Sequence, residues 1–165
     1  MKVLLICLWF FIQQTPTKYI VKECEQNKFK IEISETFTYK LDVTRGGYQD
    51  LFTLMQADSS VKYLINIIRA KSPILSYEYL KSAEYKNSFS DTTSKVEEVK
   101  EVQYKSFKGI RFLKKITSPQ RTFLSYTIST MIKGELFIIS YNTVDYNFYK
   151  YENEFNHSIN SIEFE

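Results

Sequence analysis

Short runs in which apolar and polar residues alternate recur along this chain and constrain its fold more than any other feature. Apolar Phe29, Ile31 and Ile33 alternate with polar residues, and the same period of two recurs over residues 37–42 and 124–132. Alternation of this kind is typical of β-strands with one buried face. The 13 Tyr and 13 Phe residues suit half-buried pleated surfaces. The pattern and the composition therefore both predict a sheet.

The connections between these runs predict antiparallel hairpins. Residues 51–57 and 61–69 are separated by only Asp58, Ser59 and Ser60, which is typical of a hairpin. Lys133 and Gly134 join two further strand-like runs, and glycine in so short a connection indicates a tight turn. Gly46 and Gly47 break the pattern earlier in the chain.

Two segments have helical spacing instead. The first is expected to run from about Pro73 or Ser76 to Lys86, because serine before proline is a helix-start signature. The second has Asp145 as its expected cap and is followed by a short strand in the final SIEFE segment. The order of elements predicts an α+β fold, in which an antiparallel β-sheet of about six or seven strands has flanking helices.

The amino terminus predicts export. Met1 and Lys2 precede ten apolar residues at positions 3–12, and this run is too short for a bilayer span, which needs about 20. We expect residues 1–17 to be a signal peptide, 18–27 a linker and 28–165 a single domain. The protein is then secreted or periplasmic. A retained N-terminal membrane anchor is the alternative.

Cysteine and glycine patterns give no indication of a cofactor. Only Cys24 would remain after cleavage, so no internal disulfide can form, and we interpret it as a small buried side chain rather than a redox group. The glycines form no phosphate-binding motif. We therefore predict no cofactor and no metal.

The histidine content argues against catalysis. His157 is the only histidine and lies three residues after Glu154 on the polar side of the last predicted helix. An ordinary surface pair explains it, because nucleophilic catalysis needs a nucleophile, a base and an orienting group together. We therefore predict that the protein is not an enzyme.

A cluster of basic residues is the candidate partner-binding site. These residues follow an acidic segment at 97–101, and they would suit an acidic partner or lipid headgroups. The alternative is that they are ordinary solvated strand faces. The cluster comprises Lys105, Lys108, Arg111, Lys114 and Lys115.

The second half of the chain resembles a known fold family. The segments KSFKGIRF, FLSYTISTMIKGELFIISYNT and FYKYENEFNHSINSIEF, together with the earlier LINIIRAKSPILSYEYLKS, resemble the PsbP-like fold family. That family includes the extrinsic PsbP subunit of photosystem II, a Ran-binding nuclear import factor and uncharacterised secreted bacterial proteins. The resemblance implies an α/β/α sandwich and a noncatalytic accessory or binding role.

These observations lead to two functional hypotheses. The first is a secreted or periplasmic, noncatalytic accessory module, monomeric, that binds a protein partner, with a membrane surface as one setting, and binds no nucleic acid. The second is a small-molecule-binding protein or a hydrolase with a site between sheet and helix.

Overall fold

The structure, a computed structural model, describes residues 17–24, 29–35, 37–45, 48–56, 63–70 and 76–165, with only the backbone at 24, 37–45, 48–56, 63–64 and 145–147. Within these ranges the chain forms ten strands and three helices. They are β1 (Tyr19–Cys24), β2 (Phe29–Ser34), β3 (Phe37–Arg45), β4 (Tyr48–Gln56), β5 (Tyr63–Ala70), α1 (Tyr77–Leu80), α2 (Ala83–Asn87), β6 (Ser94–Gln103), β7 (Lys108–Thr117), β8 (Thr122–Ile132), β9 (Glu135–Val144), α3 (Asp145–Asn160) and β10 (Glu163–Phe164).

The strands form two antiparallel sheets, which confirms the predicted α+β class. The larger sheet has seven strands in the order β3-β4-β5-β9-β8-β7-β6, and a smaller one has the order β1-β2-β10. The smaller sheet was not expected, because β1 lies within residues 18–27, where we expected a linker. Every residue of β1 pairs with β2, from Tyr19 opposite Ser34 to Cys24 opposite Phe29.

Two layers cover the two faces of the large sheet, as the predicted sandwich requires. On one face lie α3 and the small sheet, and the ring of Phe164 in β10 lies 4.9 Å from that of Phe137 in β9. On the other face Leu80 of α1 and Tyr85 of α2 pack with Ile110 and Phe112 of β7. Because successive strand residues point to opposite faces, the run of buried residues from Ser125 to Thr130 shows that the central strand β8 is buried on both sides.

The C-terminal helix has the predicted core positions but begins differently. Phe148, Tyr151, Phe155 and Ile159 are buried, as their helical spacing predicted. Asp145 is the first helical residue rather than the cap, and Val144 takes the cap position without a side-chain hydrogen bond. The prediction of the cap was wrong because the strand β9 continues directly into the helix.

The first predicted helix is divided in two. Ser76 caps α1 by accepting a hydrogen bond from Tyr79 N, and α1 ends at Leu80. Ser82 has extended φ and ψ of −67° and 152°, and its side chain accepts a hydrogen bond from Tyr85 N. A serine in this conformation starts a helix rather than continuing one. The prediction of one continuous helix was therefore wrong, and Pro73 lies outside the described residues.

The hairpin predictions hold where the structure describes them. β4 and β5 pair as antiparallel neighbours, whereas residues 57–62 and the Gly46-Gly47 pair lie outside the described residues. Lys133 and Gly134 both have positive φ, 51° and 82°, as a tight two-residue hairpin turn requires. No helix in the described ranges is long and apolar enough to cross a bilayer.

An edge strand, β6, was not recognised in the sequence. Its residues, SKVEEVKEVQ, are mostly exposed. Its register against β7 shifts between Val96 and Glu98, so Glu97 is the extra residue of a β-bulge. The bulge interrupts the alternation that would have revealed a strand.

Candidate functional site

The structure does not bring the five predicted basic residues into one face. Lys105 precedes β7, and the other four lie in it. Alternation along the strand places Lys108 and Lys114 on the α1/α2 face, and Arg111 and Lys115 on the α3 face. The predicted cluster is therefore split between two surfaces.

Four of the five basic side chains have partners within the fold. Each lies over an aromatic ring or beside a carboxylate. A cation over an aromatic ring stabilises the folded state by about 0.5–2 kcal/mol. The contacts are Lys105 Nζ to Glu163 Oε1 at 3.0 Å, Lys108 Nζ to the Tyr77 ring centroid at 4.3 Å, Arg111 Cζ to the Tyr126 centroid at 4.3 Å, Arg111 Nη2 to Glu98 Oε1 at 3.7 Å, and Lys114 Nζ to the Phe89 centroid at 5.2 Å.

Lys115 is the member of the predicted cluster that lines a groove. The groove is open, has a volume of about 340 Å³ and lies between the loop before β6 and the end of β7. It is lined by Asp91, Thr92, Thr93, Ser94, Lys95, Glu97, Lys115 and Thr117. We call it the β6 groove.

Asp91 builds the wall of the β6 groove. Its Oδ1 atom accepts hydrogen bonds from Thr93 N at 2.7 Å, Thr93 Oγ1 at 2.8 Å and Ser94 N at 2.8 Å. These bonds, led by that from the Thr93 hydroxyl, lower the pKa of Asp91 to about 2. An aspartate that accepts hydrogen bonds from the backbone N–H groups two and three residues later stabilises a turn. The Asp91 carboxylate therefore stabilises the loop before β6.

Two lysines face each other across the β6 groove. Lys95 of β6 and Lys115 of β7 are directly opposite in the register, and like charges in that position destabilise a sheet. Within the described part of the chain no carboxylate lies within 4.0 Å of either ammonium group. Sequence reasoning missed Lys95 because β6 was not recognised, and the pairing could have been found only from the register.

His157 contacts a carboxylate and an aromatic ring at the surface of the protein. Its Nε2 atom lies 2.8 Å from Glu32 Oε2 in β2, and its ring stacks on that of Tyr19 with centroids 3.7 Å apart. The carboxylate in contact thus comes from a strand remote in sequence. Among the described residues no group of three or more His, Cys, Asp or Glu side chains could hold a metal ion.

Comparisons with known proteins give a fold and no sequence family. No family model and no curated protein matches the sequence. The cyanobacterial PsbP protein (CyanoP) of Synechocystis sp. PCC 6803 has a similar structure, with a TM-score of 0.65 and 10% identity over 93% of this chain and 96% of that one.

Two further solved structures are also similar. The Ran-binding protein Mog1p of Saccharomyces cerevisiae has a TM-score of 0.57 and 7% identity over 90% of this chain and 96% of that one. LpqN of Mycobacterium tuberculosis, described as involved in cell envelope biogenesis, has a TM-score of 0.54 and 9% identity over 91% and 86%. The predicted resemblance is confirmed at the level of architecture, and the chain has the Mog1p/PsbP-like fold.

Proposed function

We propose that this protein is a secreted or periplasmic, noncatalytic accessory module that binds an acidic surface of a protein partner in the β6 groove. The observation that carries the proposal is the pair of opposed lysines, Lys95 and Lys115. A fold that keeps two like charges opposite each other loses free energy. Carboxylates of a bound partner would recover it.

The surroundings of the lysines support a protein rather than a substrate as the occupant. The β6 groove is open and lined by hydroxyl and charged side chains, whereas small-molecule sites are usually enclosed and largely apolar. The only histidine of the chain lies elsewhere, against Glu32 and Tyr19. One of the structurally similar proteins, Mog1p, is itself described as Ran-binding.

The proposed location rests on the amino terminus. A positive start and a short apolar run at residues 3–12 are features of a secretory signal. Mass spectrometry of the exported protein should find a chain that lacks residues 1–17. An intact Met1 on protein recovered from the cytoplasm would contradict the proposed location.

Photo-crosslinking in cells of the source organism tests the binding site. A benzoylphenylalanine in place of Thr92, at the rim of the β6 groove, should give one adduct of defined mass. The same residue in place of Tyr149, which is 69% exposed on α3, is the control position and should not give it.

Charge-neutralising variants make this test specific. Lys95→Gln with Lys115→Gln should abolish the adduct while the protein stays at least as stable, because the repulsion is removed. Lys133→Gln, in the turn at the opposite end of β8, is the matched control and should retain the adduct. An adduct that persists without both groove lysines, or that forms equally from position 149, would refute this binding site.

A further inference from the structure

The α3 side of β6 and β7 forms a shelf next to α3. The helix packs against β2, β5, β8 and β9, and its Glu152 accepts a hydrogen bond at 3.0 Å from Tyr126 of β8. Tyr126 is opposite Leu113 of β7, which is opposite Glu98 of β6, and directly opposite residues share a face. We call this surface the β6/β7 shelf, and its members are Lys95, Glu98, Lys100, Arg111, Leu113 and Lys115.

The β6/β7 shelf is open to solvent and about as wide as one helix. Lys95, Glu98, Lys100 and Lys115 are exposed, and Leu113 is partly buried. Neighbouring strands lie about 4.8 Å apart, so two of them cover about 10 Å. This width matches the diameter of a helix with its side chains, about 10–12 Å. There is therefore room for a second helix beside α3.

The β6/β7 shelf holds a second pair of opposed like charges. Lys100 is opposite Arg111 in the register, as Lys95 is opposite Lys115, and such pairs destabilise a sheet. Among the described residues no carboxylate forms an ion pair with Lys100. Glu98 Oε1 is 3.7 Å from Arg111 Nη2, beyond hydrogen-bond range. A guanidinium has five N–H donors, so this contact leaves donors for a further carboxylate.

The charge of the shelf favours an anionic occupant. Four of its six residues are basic, and the acidic residues of β6 and β7 on this side are Glu98 and, in the bulge, Glu97. The two like-charge pairs are four residues apart along β7, which is about 13 Å. Acidic side chains two helical turns apart are separated by about 11 Å. The long basic side chains can therefore reach both.

The orientation of the shelf favours a helix over an extended segment. A segment that lies on the side chains of a sheet cannot form hydrogen bonds with the backbone of that sheet. Its own N–H and C=O groups must then be paired within the segment, because unpaired backbone groups in an interface cost free energy. An α-helix meets this requirement, whereas an extended segment meets it only by pairing along the outer edge of β6.

We propose that the β6/β7 shelf receives an amphipathic α-helix of the partner protein, with acidic residues two turns apart. One carboxylate pairs with Lys95 and Lys115 in the β6 groove, and the other pairs with Lys100 and Arg111. An apolar residue between them contacts Leu113. Amphipathic helices bind other proteins through residues spaced in this way. The inference rests on the proposed function and adds the structure of the partner segment.

The spacing of two photo-crosslinks tests whether the partner segment is a helix. Benzoylphenylalanine replaces Thr117 in one protein and Glu98 in another, and both positions are exposed. Glu98 is opposite Leu113, four residues from Thr117 and thus about 13 Å away along β7. A helix rises about 1.5 Å per residue, so mass spectrometry should find the two probes attached to partner residues about nine apart. An extended segment would give a spacing of about four.

The outcomes separate this inference from the proposed function. Adducts from positions 92 and 117 but none from 98 would overturn the helix and leave the partner groove intact. A spacing of about four residues would do the same. The absence of an adduct from all three positions would overturn both proposals.

Charge reversal at Lys100 provides a second test with a matched control. Lys100→Glu should reduce the yield of the Thr92 adduct about tenfold, because a contact between charged groups is lost. The variant should be at least as stable as the natural chain, since an acidic residue opposite Arg111 removes a like-charge pair. Lys86→Glu, at an exposed position of α2 on the other side of the sheet, should leave the yield unchanged. Equal yields from the two variants would overturn the docking of a helix on the shelf.

Discussion

Substitution of Gly109 by alanine is the sharpest test of the packing between β7 and β8. A Cβ atom at this position would lie 2.8 Å from Ile128 Cγ2 and 2.9 Å from the carbonyl oxygen of Ser129. Attractive contacts between carbon atoms need about 3.5–4.0 Å. Ile128 is completely buried, so its side chain has no open space to enter. The added methyl group must therefore push the two strands apart by about 0.5–1 Å.

The size of the effect follows from this geometry. Inserting a methyl group into a close-packed core costs about 1–3 kcal/mol. In a chain of this length 1 kcal/mol corresponds to about 2–4 °C in Tm, so Gly109→Ala should lower the Tm by about 2–12 °C. Thermal unfolding followed by circular dichroism measures the shift, and urea unfolding gives the change in free energy directly.

Gly134 provides the control, because it is required for a different reason. Its φ is +82° and no atom lies within 4 Å of an added Cβ, so alanine there costs backbone strain alone, about 1–2 kcal/mol. Asparagine tolerates this conformation, so Gly134→Asn should be more stable than Gly134→Ala. At Gly109 the larger asparagine should be at least as harmful as alanine. A Gly109→Ala protein as stable as the wild type, or a rescue by asparagine at that position, would refute the steric explanation.

Three further predictions concern capping, a buried hydrogen bond and alkaline pH. Ser82→Ala removes the cap of α2 and should lower the free energy of unfolding by about 1 kcal/mol, measured by urea unfolding, whereas an unchanged midpoint would mean that the cap is dispensable. Tyr85→Phe leaves the buried hydroxyl of Ser129 without its 2.8 Å donor and should cost about 1–3 kcal/mol in the same assay; a neutral result would contradict this. Burial and a hydrogen bond to Glu152 raise the pKa of Tyr126 to about 12, so the folded state holds this proton more tightly than the unfolded state. Its contribution to stability is present below pH 10 and is lost as the pH rises from about 10 towards 12, and Tyr126→Phe should flatten the pH dependence of the urea midpoint across that window.

Strands that alternate strictly could be predicted from sequence, and so could the core positions of α3. Phe29, Ile31 and Ile33 are buried and α3 buries Phe155 and Ile159, because period and burial coincide in these elements. The two-residue turn before β9 was also predictable, since it needs the positive φ that Gly134 adopts without strain.

Elements whose signals are local and competing were not predictable in the same way. Tyr79 and Ala83 have helical spacing, yet Ser82 between them caps a new helix. The spacing of apolar residues does not predict the backbone angles of a single residue such as Ser82. β6 was hidden by the bulge at Glu97.

The candidate site depends on contacts between side chains that the spacing of residues along the sequence does not predict. Five basic residues close in sequence predicted one surface, but Lys108, Arg111 and Lys114 lie over aromatic rings on two faces of the sheet. Lys95 became visible as the neighbour of Lys115 only through the register between β6 and β7. The pairing of strands, rather than the number of basic residues, therefore determines which lysines are placed to bind a partner.

The charged edge strand β6 also bears on whether molecules of this protein can add to one another edge to edge. Among the described strands, β6 lies at one edge of the large sheet. An unpaired edge of ten residues is a template on which a second molecule could add a strand. The charged Lys and Glu side chains of β6 and the bulge at Glu97 oppose such pairing. A variant of β6 that replaces Glu97, Glu98 and Lys100 by threonine should therefore form fibrils or large aggregates under conditions in which the natural chain stays dispersed.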